Sequence, residues 1–307
     1  MSSLTHKRIA VLKGGPGSER QISHASAAGV AGALRELGAE VIEVDVTDSH
    51  FELPEGIDLA FNIIHGTFGE DGQLQRELEA RGVPYTGEGV DESELAFDKL
   101  KSKERFVERG VPTPKFEMVP AGVTPAMSLP YVIKAPCEGS SVGVFIVKTP
   151  EEIAPAVEAA AKFAKELLVE EFVEGRELTV GVLDGVALPI IEIRPRVGFY
   201  DFANKYPFLD PSGKGAADHY CPAALDEETT RLVQQTALAA HQALGLQIYS
   251  RVDVLLRPNG APEVLEINTI PGMTQASLLP EAAAAAGIGY SQLCERIAEL
   301  SLSRFRV

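Results

Sequence analysis

The stretch Glu263–Met273, EVLEINTIPGM, decides how the chain reads. Val264, Leu265 and Ile267 give it the apolar character of a strand facing a core, yet Glu266 and Asn268 stand inside it. Side chains two apart on a strand share a face, so a carboxylate and an amide are placed together on an inner surface. Upstream lies IYSRVDVLL (Ile248–Leu256), joined to it through RPNGAP. Asn-Gly between apolar runs is the strongest short hairpin signal. With Asn259 and Gly260 as the two central turn residues, Asp253 falls opposite Glu266 and Arg251 opposite Asn268, all four on one face. A turn of odd length shifts this register. Two carboxylates directly across a ladder have Cβ atoms about 5 Å apart and repel, so a fold that holds them there needs a cation. Hard oxygen ligands favour Mg²⁺ or Mn²⁺ over zinc, and Mg²⁺ completes its shell with water and phosphate oxygens. The hairpin alone leaves a second reading open, a solvated face on which Arg251 neutralises both acids.

Three glycine-rich loops stand at the ends of other predicted strands. KAPCEGSSVGV (Lys134–Val144) carries Gly139, Ser140, Ser141 and Gly143, whose backbone N–H groups suit phosphate oxygens, with Lys134 just before them. It lacks the GxxxxGK[ST] pattern and also reads as an ordinary Gly/Ser turn. LKGGPGSER (Leu12–Arg20) follows a strand and opens a helix, a ready anion site, but lacks GxGxxG. HGTFGEDGQ (His65–Gln73) brings His65, Glu70 and Asp71 to a third loop.

Around these loops the chain divides into three units. Residues 1–95 alternate strands and helices, which implies a parallel sheet with helices on its faces. Ser18, with Gln21 as capping-box partner, is the expected start of the first helix, and Gly38 its end. A single charged helix, DESELAFDKLKSKERFVERG (residues 91–110), leads into the second unit, residues 96–178, which continues as an α+β unit. Residues 179–307 open on a hairpin turning at Asp184-Gly185. They continue through NKYPFLDPSGKGAADHYCPAAL (Asn204–Leu225), too rich in Gly and Pro for regular structure and of a length typical of functional lids.

Composition bounds the function. The chain has 307 residues, 28 Lys and Arg against 44 Asp and Glu, and a formal charge of −16. That balance argues against nucleic-acid and membrane-surface roles, because phosphates repel it. Cys137, Cys221 and Cys294 are odd in number and show no CxxC spacing, so neither a disulfide framework nor a structural zinc site is indicated. No run reaches the roughly 18 apolar residues of a membrane span, and no secretory leader is evident. A cytoplasmic setting is expected.

Taken in order, GGPGSERQIS, HGTFGEDGQLQ, GVPYTGEGV, FDKLKSK, EGSSVGV, KY…CPA, RVDV and EINTIPGMTQASLLP make the chain resemble the D-alanine–D-alanine ligases of the ATP-grasp superfamily over nearly its whole length. The resemblance implies a three-domain ATP-grasp fold: an N-terminal Rossmann-like parallel-sheet domain (1–95), a central ATP-grasp domain (96–178) and a C-terminal catalytic domain (179–307). It implies ATP-dependent joining of two D-alanines, with ADP and phosphate released, for peptidoglycan precursor synthesis. D-Lactate or D-serine as acceptor is the alternative, disfavoured by the Lys205-Tyr206 pair. Two Mg²⁺ or Mn²⁺ ions would sit on Asp253, Glu266 and Asn268, the cluster that the hairpin register produces on its own. ATP would be held by Lys99, Lys134, Ser140, Ser141, Glu170, Val173, Glu177, Phe199, Lys205 and Leu265. Glu19 and His65 would bind the first D-alanine, and Ser277 and Leu278 the carboxylate of the second. Arg251 and the Gly272 N–H would stabilise the oxyanion, and Tyr206 would link Ser140 to Glu19. A homodimer is expected. The sequence departs from the family pattern in a longer lid, in Gly17, in the later proline of KAPCEG and in Cys137, none of which removes a mapped ligand.

Overall fold

The computed structural model describes residues 2–139, 142–196, 198 and 217–305. The first sheet is parallel. β1 (Arg8–Gly14) lies between β2 (Glu40–Val46) and β3 (Leu59–Asn62). Ile9, Ala10, Val11 and Leu12 are fully buried, as expected of a strand covered on both faces. α1 (Arg20–Glu36) makes the crossover from β1 to β2. Its cap differs from expectation. Glu19, not Ser18, occupies the N-cap, without a side-chain capping bond. Gly38, with φ +86°, ends the helix as predicted. Because β1 and β3 run parallel side by side, the loops leaving them emerge at one edge, where ligands of open α/β sheets collect. Glu19 and His65 stand in those loops.

The single charged helix expected after this sheet is two. Following α2 (Gln73–Ala80), α3 (Val90–Phe97) stops at Asp98 and α4 (Lys99–Arg109) starts anew. The Asp98 carboxylate accepts from the backbone N–H groups of Leu100 (3.1 Å) and Lys101 (3.2 Å). A cap of this kind competes with continuing the helix. The break places Lys99 at the head of α4.

The second sheet is antiparallel, in the order β4 (Phe116–Pro120), β7 (Glu166–Glu171), β5 (Tyr131–Lys134), β6 (Phe145–Val147). α5 (Pro150–Ala160) packs on one face through Ala156, Val157 and Ala160 against Tyr131, Ile133 and Val169. The third sheet runs β11 (Ala217–Tyr220), β10 (Ile191–Pro195), β8 (Arg176–Leu183), β12 (Tyr249–Leu256), β13 (Pro262–Asn268), with β9 (Val186–Ala187) on β8. The turn at Asp184-Gly185 has positive φ at both residues (55° and 69°), as a two-residue hairpin requires. β11 corrects the expectation for the polar stretch: Ala217–Tyr220 of it is an edge strand on β10.

α6 (Glu227–Ala243) covers one face of the third sheet, with Val233, Ala237 and Ala240 against Val180, Val252, Val254 and Ile267. The opposite face of this sheet looks toward the second sheet across a cleft that both line. α7 (Leu278–Ala285) and α8 (Tyr290–Arg304) return to the first sheet. Leu279, Leu293 and Ile297 share a core with Ile9, Val30 and Leu34. Among the described residues no helix is long and apolar enough to cross a membrane.

Candidate active site

The β12–β13 hairpin departs from expectation twice, and the two departures cancel. Arg257 N–H donates to the Ala261 carbonyl and Gly260 N–H to the Arg257 carbonyl, both at 2.9 Å, so Pro258–Gly260 form a three-residue loop. Gly260 takes the positive φ (+83°) that such a loop needs. Beside the loop Leu256 faces Pro262 and Val254 faces Val264. A ladder continued regularly from there would set Asp253 against Leu265. A β-bulge at this point adds one residue and restores Asp253 opposite Glu266 and Arg251 opposite Asn268. The bulge also turns Leu265 and Glu266 together into the cleft, while Val264 and Ile267 both pack toward α6. Re-aiming of this kind is a usual role of bulges beside active sites.

Asp253 is nearly buried and densely bonded. Thr179 Oγ1 donates to its Oδ1 at 2.6 Å, Arg251 Nε to Oδ1 at 3.0 Å and Arg251 Nη2 to Oδ2 at 2.8 Å. Asn268 Nδ2 adds a bond to Oδ2 at 3.3 Å. Glu266 has Lys99 Nζ 3.2 Å from its Oε2, and the same ammonium donates to the Glu138 carbonyl at 2.7 Å. Burial works against the Lys99 charge, but Glu266 outweighs it and raises the lysine's pKa. Each carboxylate of the facing pair therefore has a cation of the chain beside it.

A cleft of about 620 Å³ opens between the second and third sheets, and Asp253, Glu266 and Lys99 line one end of it. Val132, Ile146, Phe172, Val173 and Leu265 make its walls apolar. Lys134, Glu170 and Glu177 are among the charged residues of its lining. Val132 pairs with Glu170 across β5 and β7, which sets Lys134 and Glu170 on one face. Glu170 is almost fully buried, with Lys134 Nζ on its Oε2 and Lys103 Nζ 2.6 Å from its Oε1. Burial raises the Glu170 pKa, but the two lysines overcome this and hold the carboxyl below its ordinary value.

The loops of the first sheet meet the EINTIPGM segment next to this cleft. His65 Nδ1 lies 2.9 Å from the Ile270 carbonyl, a bond in which the ring nitrogen donates. Burial holds the imidazole below its ordinary pKa, against the opposing pull of Glu19, so the ring is neutral. Glu70 accepts from Gly66 N–H at 2.7 Å and from Ile270 N–H at 3.0 Å. Burial, reinforced by the Glu19 charge, pushes its carboxyl up to about 8. Ser26 Oγ accepts from Met273 N–H at 3.2 Å, and Tyr290 bonds the Met273 carbonyl. Glu19 sits where these loops converge: a Cβ on Gly66 would come 2.9 Å from its Oε2, and one on Gly139 2.6 Å. Gly272 is similarly tight against Ser277, 3.0 Å from an added Cβ to Oγ. Ser277 N-caps α7, and its Oγ accepts from Thr274 N–H at 3.0 Å. Leu278 buries its side chain in the core, so only its backbone faces the site.

Two family profiles match the chain, one described as D-ala D-ala ligase N-terminus over residues 47–88 and one as D-ala D-ala ligase C-terminus over residues 105–299. A D-alanine–D-alanine ligase of Methylacidiphilum infernorum is 47% identical over 306 residues, which is 100% of this chain and 99% of that protein. The chain belongs to the D-alanine–D-alanine ligase family. The ligase of Geobacter sulfurreducens is 44% identical over 94% of this chain and 92% of its own. Among solved structures, the D-alanine–D-alanine ligase of Bacillus anthracis superposes with TM-score 0.86 at 32% identity, covering 98% and 99% of the two chains. Its complex with ATP superposes at 0.84, also at 32% identity. The fold is accordingly the ATP-grasp fold of these ligases, with a parallel sheet at the N-terminus.

Within this ligase fold, the expected residues fall into two neighbouring groups. Lys99, Lys134, Glu170, Val173, Glu177, Leu265, Asp253 and Glu266 line the cleft, with Asn268 in the recess beside it. Glu19, His65, Arg251, Gly272, Ser277 and Leu278 belong to the loops, strand and helix around the Ile270–Met273 segment. Ser140, Ser141, Phe199, Lys205 and Tyr206 lie outside the described residues. Sequence reasoning gave no role to Glu70, Lys103, Thr179 or Ser26. Glu70 was visible as an acid in a glycine loop four residues after Gly66. The other three gave no local signal, since each works through a partner distant in the chain.

Proposed function

We propose that the chain joins two D-alanine molecules at the expense of ATP, releasing ADP, phosphate and the dipeptide, as part of peptidoglycan precursor synthesis. The observation that carries this reading is the bulged hairpin. It presents Asp253 and Glu266, with Asn268 in the recess beside them, to a cleft that Val132, Val173 and Leu265 line with apolar surface and that also bears Lys99 and Lys134. A nucleotide suits that polarity, with its base against Val173 and Leu265 and its phosphates between the two lysines.

The donor set fits Mg²⁺ or Mn²⁺. Among the described residues no group of three or more His, Cys, Asp and Glu side chains is disposed to hold a metal. Two carboxylates and an amide oxygen are what Mg²⁺ takes when phosphate completes its shell. Asn268 turns its amide nitrogen to Asp253, which leaves its carbonyl oxygen as the ligand atom. Held by Asp253, Glu266 and Asn268, two such ions would supply positive charge to offset the charge that develops during phosphoryl transfer.

A carboxylate is a poor electrophile, so the first D-alanine must be activated as an acyl phosphate before the second amine attacks. Glu19, buried where three loops meet, is the partner for the first ammonium. His65, neutral and fixed on Ile270, lies beside it. Arg251 and the Gly272 N–H would stabilise the tetrahedral oxyanion, and the Ser277 hydroxyl with the Leu278 N–H, at the start of α7, would take the second carboxylate. Ser140, Ser141, Phe199, Lys205 and Tyr206 complete the proposal as nucleotide and lid residues. Three domains, at 1–95, 96–178 and 179–307, are proposed to carry these parts. Likeness to the ligase family supports a cytoplasmic homodimer.

The test is phosphate release from ATP with D-alanine, compared with L-alanine, D-serine and D-lactate. Release that requires D-alanine and yields the dipeptide is expected. Equal release with D-lactate would shift the reading to a ligase with a hydroxy-acid acceptor, and no release with any of them would overturn it.

A further inference from the structure

Lys103 stands one turn after Lys99 on the same face of α4, yet it does not itself line the cleft. Its side chain has no exposure at all. An ammonium so placed is costly unless fully paired. Its Nζ lies 2.6 Å from Glu170 Oε1, donates to Thr113 Oγ1 at 2.6 Å, and stands over the Phe116 ring at 5.8 Å. Thr113 in turn donates to the Val264 carbonyl at 2.8 Å, beside the bulge at Leu265. Lys134 grips the other oxygen of Glu170. The carboxylate is thus clamped between two ammonium groups in the wall of the cleft, opposite Val132 on the neighbouring strand and three residues before Val173, which also lines it.

A carboxylate held in its ionised form can only accept hydrogen bonds. A 6-aminopurine offers it a donor, whereas a 6-oxopurine offers a lone pair that it repels. Selectivity built on such a mismatch needs the acceptor fixed in place. Lys134 lines the cleft and faces phosphate and base alike, while Lys103 reaches a nucleotide only through Glu170. We propose that Lys103 is a positioning residue for base selection, holding Glu170 as a fixed acceptor so that the ligase takes a 6-aminopurine nucleotide over a 6-oxopurine one. This rests on the nucleotide reading of the cleft given above.

Lys103→Met tests it, because Met keeps the volume and Glu170 retains Lys134 as a partner. Thr113→Val, which loosens Lys103 without removing its charge, is the second variant. ADP and GDP binding would be measured by titration calorimetry, alongside the KM for D-alanine and a thermal melt. Wild type is expected to bind ADP at least roughly tenfold tighter than GDP. Lys103→Met should weaken ADP roughly tenfold, the order expected for one charge-assisted bond, and leave GDP and the KM for D-alanine within about twofold. Thr113→Val should weaken ADP about threefold. A merely structural role would move both nucleotides together or neither. A folded Lys103→Met with the wild-type ADP-to-GDP ratio overturns the proposal. Should that variant fail to fold, an unchanged ratio in Thr113→Val does so. Absence of ADP binding by the wild type would instead sink the nucleotide reading itself.

Discussion

Glu70 joins the first sheet's loop to the Ile270 backbone, and its environment makes a measurable demand on pH. Its carboxyl titrates near 8 in the folded protein against an ordinary 4.5, because burial and the Glu19 charge outweigh two backbone N–H bonds and Arg251. Between those two values the folded chain keeps a proton that the unfolded chain has lost. The folded pKa is the higher one, so this group's contribution is fully present below pH 4.5 and is lost as pH rises towards 8. The slope is about −1.4 kcal/mol per pH unit. Over the whole span it amounts to roughly 5 kcal/mol. From pH 6.5 to 8, with the curve rounding off at the upper end, it is about 1.6 kcal/mol.

That upper window separates Glu70 from most other groups. His241, depressed to about 4 by burial, changes stability only below its ordinary 6.5, and in the opposite sense. Glu192, held near 2 by Arg176 and Arg194, matters only below 4.5. Glu88 is raised by burial and adds slope of the same sign, so the comparison has to be between variants. Glu70→Gln keeps the size and removes the titration. Its amide oxygen can accept from only one of Gly66 and Ile270, which costs about 1–2 kcal/mol at every pH. Urea unfolding at constant ionic strength should therefore show the variant less stable at pH 6.5, with a gap that narrows by about 1.6 kcal/mol by pH 8. Stability curves that run parallel across this window would falsify the assignment of a neutral Glu70.

Four further outcomes follow from the geometry. Glu266→Gln should lower kcat by roughly 10³, the scale of several kcal/mol of metal-borne charge stabilisation; full turnover at limiting Mg²⁺ would remove Glu266 from the metal set. Glu88 accepts from three successive backbone N–H groups, Gln247, Ile248 and Tyr249, at 2.9, 2.8 and 3.2 Å. Glu88→Gln sets an NH₂ against at least one of them and should cost about 3 kcal/mol in urea unfolding; a loss under about 1 kcal/mol would show that the start of β12 is held otherwise. Gly139→Ala drives a methyl to 2.6 Å from Glu19 Oε2, and should raise the KM for the first D-alanine about tenfold or more, with an unchanged KM arguing that Glu19 is not its partner. Deleting Leu265 removes the bulge yet leaves Glu266 opposite Asp253. The Mg²⁺ requirement should persist while the KM for ATP rises about tenfold, matching about 1.4 kcal/mol of lost apolar contact; loss of metal dependence would show that the bulge itself shapes the ligand set.

Much of the fold was legible because its signals are local. Short apolar strand runs, the Asp184-Gly185 turn and the glycine after α1 each act over a few residues. The misreadings have local causes too. Asp98 looked like one more acid on a helix face, but its carboxylate caps the next helix and divides the run. Ser18 matched a capping box by spacing, yet Glu19 takes the cap in a loop that must also pass Gly66. β11 is an edge strand whose pairing with β10 no local pattern in Ala217–Tyr220 announces. The register at Asp253 was reached through two faults of one residue each, a turn one residue longer than assumed and a bulge that adds one back. Glycine at position 260 permits either loop, and nothing in VLEIN marks Leu265 as the extra residue.

What the sequence could not display is the joinery around Ile270–Met273. That segment is bonded by His65 and Glu70 at Ile270, by Ser26 at Met273 N–H and by Tyr290 at its carbonyl. Three of these four side chains lie some two hundred or more positions upstream, and none belongs to a metal or nucleotide motif. Fixing both flanks of Gly272 is nevertheless what an oxyanion donor requires, since such a donor gains its effect by being in place before charge develops. The ion pairs of α4 work alike: Lys99 reaches Glu266 and Lys103 reaches Glu170, both of which line the cleft. One short helix, begun afresh at Asp98, thereby sets the spacing between the carboxylates proposed to bind metal and the acceptor proposed to read the base. A continuous helix through residue 98 would carry the same lysines but would not bring Lys99 to its head, where its backbone N–H also meets the Pro136 carbonyl at 3.2 Å. The interruption that the amphipathic pattern concealed is therefore part of how the site is positioned.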